Sequence, residues 1–272
     1  MKLNKVPART GLTWIGLGFQ TFRRQPFALG GIFFLCFGLS QVLQLLPIVG
    51  TVSSLVLAPA LQLGMFSAAR RAVQGEFPMP STAFEGLAAG PGRRHMLVLG
   101  AMFATIMILL VLFLQLIVPM GEINVAADAE STVPPEVMAE AVLQAINPVA
   151  VLLFTVLSLL IYLAFFHAPA LTHWHGVPPV KSLFFSVTAL WANAGAVMVF
   201  LLAWAGIGLL AVGMSLQFGL LLGGKAGASS FVAVSMLMLA AVFSISSYFC
   251  YRDSFIADTT AQPLPDAGND PT

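Results

Sequence analysis

Three histidines crowd one short stretch of this chain: His167, His173 and His175, with Trp174 between the last two. Converging imidazoles bind zinc or move protons. The spacing argues against a metal, because His167 and His173 are six positions apart, Pro169 stands between them, and no cysteine or carboxylate follows closely to complete a ligand set. A belt of Trp and His at headgroup depth is the expectation instead. Gly213-Met214-Ser215-Leu216 offers a hydroxyl nucleophile, but Ser215 and His167 are expected at opposite membrane edges, and a nucleophile must touch its base. No phosphate-binding glycine loop or zincin pair occurs. No catalytic, cofactor-binding or metal-ligating residue is assigned, no cofactor is expected, and the chain is expected not to be an enzyme.

The remaining polar chemistry lies inside apolar runs. Gln41, Gln44, Gln62 and Gln115 are expected to make interhelical hydrogen bonds worth about 1 kcal/mol each. Pro59 and Pro169 are expected to kink their helices; the alternative is that these prolines open backbone carbonyls toward a pathway lined by Gln41, Gln62 and Gln115.

Those runs define the class. The chain is 58% hydrophobic and 8% charged, against roughly a quarter charged in a soluble domain. Six runs, near 26–46, 50–69, 96–119, 148–171, 194–214 and 229–250, reach the roughly 20 helical residues that cross a bilayer core, and none contains Asp, Glu, Lys or Arg. Lipid forces such segments to be helical, so an all-α polytopic membrane protein of six transmembrane helices in three hairpins is predicted. The first run exceeds a signal-peptide core and is expected to stay as an anchor. Leu46-Pro47-Ile48-Val49-Gly50 predicts a tight reversal between the first two spans. Cys36 and Cys250 fall within or beside apolar runs and read as buried hydrophobes.

Charge placement orients the bundle. With both termini cytoplasmic, eleven of the twelve basic residues fall on the cytoplasmic side and only Lys225 outside, as the positive-inside rule requires. Opposite them, 121–147 carries Glu122, Asp128, Glu130, Glu136 and Glu140 and no basic residue, an acidic periplasmic loop. The net charge of +1 gives no reason to expect nucleic acid.

A weak parallel repeat is visible over 8–76, 80–176 and 178–256. Ala58-Pro59-Ala60-Leu61 recurs as Ala168-Pro169-Ala170-Leu171. Leu12, Ile15, Phe19 and Phe22 mark one face of a cytoplasmic interfacial helix, Val180, Phe184, Val187 and Trp191 another, and Thr82-x-x-Glu85 has capping-box form for a third. Residues 1–258 are expected to form one membrane domain, followed by a disordered tail over 259–272. Arg23, Arg24, Arg93 and Arg94 would meet anionic lipid headgroups at about 1 kcal/mol each.

Trp14 with Phe22 and Pro26, Leu46-Pro47-x-x-Gly50, Pro59 with Gly64, and Tyr251-Arg252-Asp253 resemble a family of uncharacterised proteobacterial multi-span inner-membrane proteins. The chain is also faintly similar to the membrane domains attached to some glycerophosphodiester phosphodiesterases, without their catalytic domain. The resemblance implies a bacterial inner membrane and supplies no catalytic residue. The expected role is a membrane scaffold that contacts lipid or protein, with anionic lipid, another membrane protein or a second copy as partner. The alternative is a permease or channel for a small neutral or amphipathic solute.

Overall fold

The computed structural model describes residues 2–117 and 147–256. Apart from Asn147, the expected acidic loop lies outside these residues, as does the expected tail. The elements in order are β1 (Lys2–Leu3), α1 (Thr10–Arg24), α2 (Pro26–Gln44), α3 (Val49–Val73), a 3-10 helix (Pro80–Leu87), α4 (Pro91–Ile117), α5 (Pro148–Phe165), α6 (Ala168–His175), α7 (Pro179–Ala192), α8 (Ala194–Ser254) and β2 (Phe255–Ile256). The described chain is thus almost wholly helical.

By length and composition, five helical stretches can cross a membrane: α2, α3, most of α4, α5 continued into α6, and α8. The count differs from the six expected spans because the last two runs join. Helix continues through 215–228, where no proline stops it, and only Gly223 (φ −152°) and Gly224 (φ 61°) leave helical geometry. About that point the chain doubles back. Asn193 reaches Ser254 (3.3 Å), the Phe200 and Phe243 rings stack at 5.6 Å, and the Ser215 and Ser235 hydroxyls meet at 2.6 Å. Each arm is therefore about 45 Å long at 1.5 Å per residue.

Local signals explain the other boundaries. Asn147 caps α5, its Oδ1 accepting from the amides of Val149 (2.9 Å) and Ala150 (3.4 Å), with Pro148 in the first turn where no amide is needed. The reversal after α2 does occur, but its left-handed residue is Ile48 (φ 57°), not Gly50. Gly50 serves a different need, because any Cβ there would collide with the Leu43 carbonyl. The two Ala-Pro-Ala-Leu copies have different local structures. Pro59 lies inside the continuous α3, whereas Pro169 opens α6 after a break at Phe166–His167. The expected capping box is not formed either: Met79 is the cap residue and makes no side-chain bond, Pro80 takes the first turn, and Thr82 lies within the 3-10 helix.

The chain packs as two compact units, the first built from residues up to Ser40, Leu61–Ala88 and those from Val187 on, the second from Gln41–Ala60 and Ala89–Ser186. In the first, α1 lies against α8. Its buried stripe is Gly11, Trp14, Ile15, Gly18 and Thr21; of the face expected to meet the membrane surface, Ile15 lies in this stripe, Phe19 and Phe22 are half-buried and Leu12 is exposed. Small residues allow the close approach: a Cβ on Gly18 would lie 1.9 Å from the Ser246 Oγ, and one on Gly11 2.3 Å from the Ala196 carbonyl. In the second unit, Phe103 and Phe165 meet edge to face at 5.1 Å, joining α4 to α5.

Helix α7 has the polarity of a membrane-surface helix with its apolar side outward. Val180, Phe184, Val187 and Trp191 are all exposed, while Ser182, Ser186 and Ala189 are fully buried. The serines are satisfied there: Ser186 Oγ accepts from the His167 amide (3.0 Å), and Ser182 Oγ lies 3.0 Å from Thr172 Oγ1.

Candidate functional site

Within the first unit, the two ends of the described chain meet. Lys2 pairs with Ile256 and Leu3 with Phe255 in a two-stranded antiparallel ladder. Asn193 ties the junction together, its Oδ1 accepting from the Val6 amide (2.9 Å) and its Nδ2 donating to the Asn4 carbonyl (2.9 Å). Trp14, completely buried, donates from Nε1 to Asp253 Oδ2 at 2.9 Å. Asp253 Oδ1 takes the Arg252 Nε at 2.7 Å, and the Arg252 guanidinium lies 4.8 Å from the Phe249 ring centre. Trp14 and Asp253, both in the resemblance above, are thus bonded across 239 positions.

Close to α1, the end of α3 forms a polar pocket of about 190 Å³ lined by Ser67, Arg70, Arg71, Gln74, Glu76 and Glu85. Two backbone features build it. Gly64 lets the 3-10 helix approach α3 closely, since a Cβ there would lie 2.4 Å from the Ala83 carbonyl. Beyond α3, Gly75 adopts φ 83°, with its amide bonded to the Ala72 carbonyl (3.2 Å) and the Glu76 amide to the Arg71 carbonyl (3.0 Å), a Schellman stop that turns Glu76 back toward the helix end. Gln25, at the end of α1, donates from Nε2 to the Glu76 carbonyl at 3.2 Å. Arg71 Nη2 and Glu85 Oε2 face each other at 3.8 Å. Ser67 is buried, and its hydroxyl has no hydrogen-bond partner among the described residues. In the sequence, Arg70 and Arg71 are only two of the eleven basic residues counted on the cytoplasmic side. Glu76 and Glu85 are brought to them by the Gly75 turn and the Gly64 contact, which no local spacing announces.

The four arginines expected to meet headgroups are all exposed, and among the described residues none pairs with a carboxylate. Arg23 and Arg24 close α1 in the first unit; Arg93 and Arg94 open α4 in the second, where, with Gly90, Leu97, Val98 and Ala101, they line an open and largely apolar groove. The positive end of that helix's dipole lies beside them. Gln41 and Gln115 are exposed and Gln62 is half-buried. Ser215 is engaged with Ser235.

The histidines do not form one belt. His167 is fully buried, carried inward by the break that ends α5; His173 is half-buried beside Gly92; His175 is exposed. Cys36 and Cys250 are free and buried.

A probable inner membrane protein of Burkholderia thailandensis is 30% identical to this chain over 286 aligned residues, which cover 99% of the chain and all of that protein. No family model matches the chain. No solved structure matches it.

Proposed function

The chain belongs to the family of that probable inner membrane protein, a multi-pass integral protein of the inner membrane, and from this premise we propose that it is a non-enzymatic scaffold that gathers anionic lipid at its exposed arginines. The observation that carries the reading is the set Arg23, Arg24, Arg93 and Arg94: exposed, without a carboxylate partner among the described residues, and placed at ends of helices next to apolar segments. A cation held there has lipid phosphate as its natural counter-ion, at about 1 kcal/mol per residue. The outward apolar face of α7 supports the same reading, because such a face is stable in the interfacial zone and costly in water. Exposure of Gln41 and Gln115 favours the scaffold over the permease.

The topology proposed with it has six spans in three hairpins and both termini in the cytoplasm. Pairing of β1 with β2 supports an even number of crossings, since ends joined in one ladder share a side. In this proposed topology the two arms of α8, on either side of Gly223 and Gly224, count as separate spans and Lys225 falls at an outer turn. A second membrane protein or a second copy is the other candidate for the exposed apolar faces.

Purification in mild detergent, followed by identification of bound lipids and proteins, tests the reading. Retained anionic lipid should fall when Arg23, Arg24, Arg93 and Arg94 are replaced by Gln. Retention unchanged in that variant would refute it.

A further inference from the structure

We propose that the groove on α4 holds one phospholipid of net negative charge, its phosphate against Arg93 and Arg94 and an acyl chain along Leu97, Val98 and Ala101. This rests on the scaffold reading and divides its four arginines: the α4 pair makes a discrete site, while Arg23 and Arg24 only add charge to the surface. Helical spacing lays the site out. Arg94, Leu97 or Val98, and Ala101 follow one another at three or four positions, so cation and apolar side chains share one face of α4, with the charge at its start. From Arg94 to Ala101 that face runs about 10 Å at 1.5 Å per residue. A phospholipid has the same order, phosphate outermost and acyl carbon beneath. The start of a helix long enough to cross a bilayer is also where that phosphate is met.

Electrostatics separates the two arginine pairs. Arg23 and Arg24 stand in the last turn of α1, where the dipole is negative and a cation is stabilised in place. Arg93 and Arg94 stand in the first turn of α4, which holds no acidic residue, so two positive charges adjoin the positive end of a dipole. An anion seated there is attracted by all three. Guanidinium forks match phosphate oxygens, and Leu97 and Val98 are exposed one turn further on as an apolar seat. No carboxylate is among the described residues that line the groove, so the ammonium of a zwitterionic headgroup finds no partner and a net anionic lipid is preferred. The volume of about 440 Å³ falls within the roughly 300–1,000 Å³ of ligand clefts, far above what a lone ion fills.

The test uses the full chain in mild detergent and native mass spectrometry, with dioleoyl phosphatidylglycerol or dioleoyl phosphatidylcholine added singly. Phosphatidylglycerol should bind as one tightly held molecule, with at least about tenfold preference over phosphatidylcholine. R93Q/R94Q should lower its affinity about thirtyfold, the loss of two headgroup–arginine attractions, and R23Q/R24Q less than about threefold. Val98→Asn, which leaves every charge in place, should weaken binding several-fold without altering the elution profile, a second measure should R93Q/R94Q fail to fold. Soluble glycerol 3-phosphate should not compete, because it lacks the acyl chain; competition by it would assign the groove to a free phosphate compound and overturn the lipid site. Equal losses in R93Q/R94Q and R23Q/R24Q, or no loss in Val98→Asn, would overturn the discrete site and leave the scaffold reading standing. Unchanged lipid in the variant with all four arginines replaced would refute both.

Discussion

Trp14→Phe removes one hydrogen bond and about a third of an aromatic side chain from the place where the chain ends meet. The Trp14 Nε1 to Asp253 Oδ2 bond is 2.9 Å long, its donor ring completely buried. Bonds to charged groups are worth about 1.5–3 kcal/mol, and the lower end applies here because Asp253 is part-exposed and keeps its 2.7 Å contact to Arg252. Loss of ring volume beside Phe200, 5.9 Å away edge to face, adds about 1 kcal/mol. Trp14→Phe should therefore cost about 2.5 kcal/mol, a drop of roughly 5–10 °C in Tm on the scale of domains this size. Asp253→Ala leaves the indole N–H buried and unpaired, at a similar cost. Thermal unfolding of purified protein in detergent, followed by fluorescence-detected gel filtration, would give the double-mutant cycle. A coupling energy of about 1.5 kcal/mol is expected between these positions; a value under about 0.5 kcal/mol would show that the bond does not hold the termini and that the argument from their meeting is unfounded.

Three further outcomes follow from the same structure. Gly18→Leu should release α1 from α8, because even its Cβ would lie 1.9 Å from Ser246 Oγ and 3.0 Å from Ser246 Cα; proteolysis of the N-terminal segment should accelerate. Ile48→Gly should raise Tm, since a β-branched residue at φ 57° costs about 1–2 kcal/mol and glycine does not, provided that the added chain entropy stays below about 1 kcal/mol. Gly75→Ala, at φ 83°, should destabilise by about 1 kcal/mol, read as a lower Tm, because the turn that places Glu76 becomes strained.

What could be read from the residues was whatever a local period or a punctuating residue encodes. The apolar runs without a charged residue became helices, and the Leu46-to-Gly50 segment reversed the chain. Where the reading failed, a contact distant in sequence decided the outcome. The period of α1 marked one apolar face and gave no sign that its glycines let α8 approach on the neighbouring one. His167 was placed at the surface by its neighbours and turned inward by a helix break. Asn193 carried no signal, although it holds residues 4, 6 and 254. The α3 pocket escaped for the same reason: Glu85 comes from a separate 3-10 helix, and its approach rests on a missing Cβ at Gly64.

Sidedness underlies the scaffold reading, and cysteine labelling measures it. Single cysteines at Arg94 and Lys225, in a background with Cys36 and Cys250 replaced by Ala, would be probed in intact cells with a membrane-impermeant maleimide. The account predicts that position 225 reacts from outside and position 94 only after permeabilisation. Reaction of both positions from the same side would contradict it.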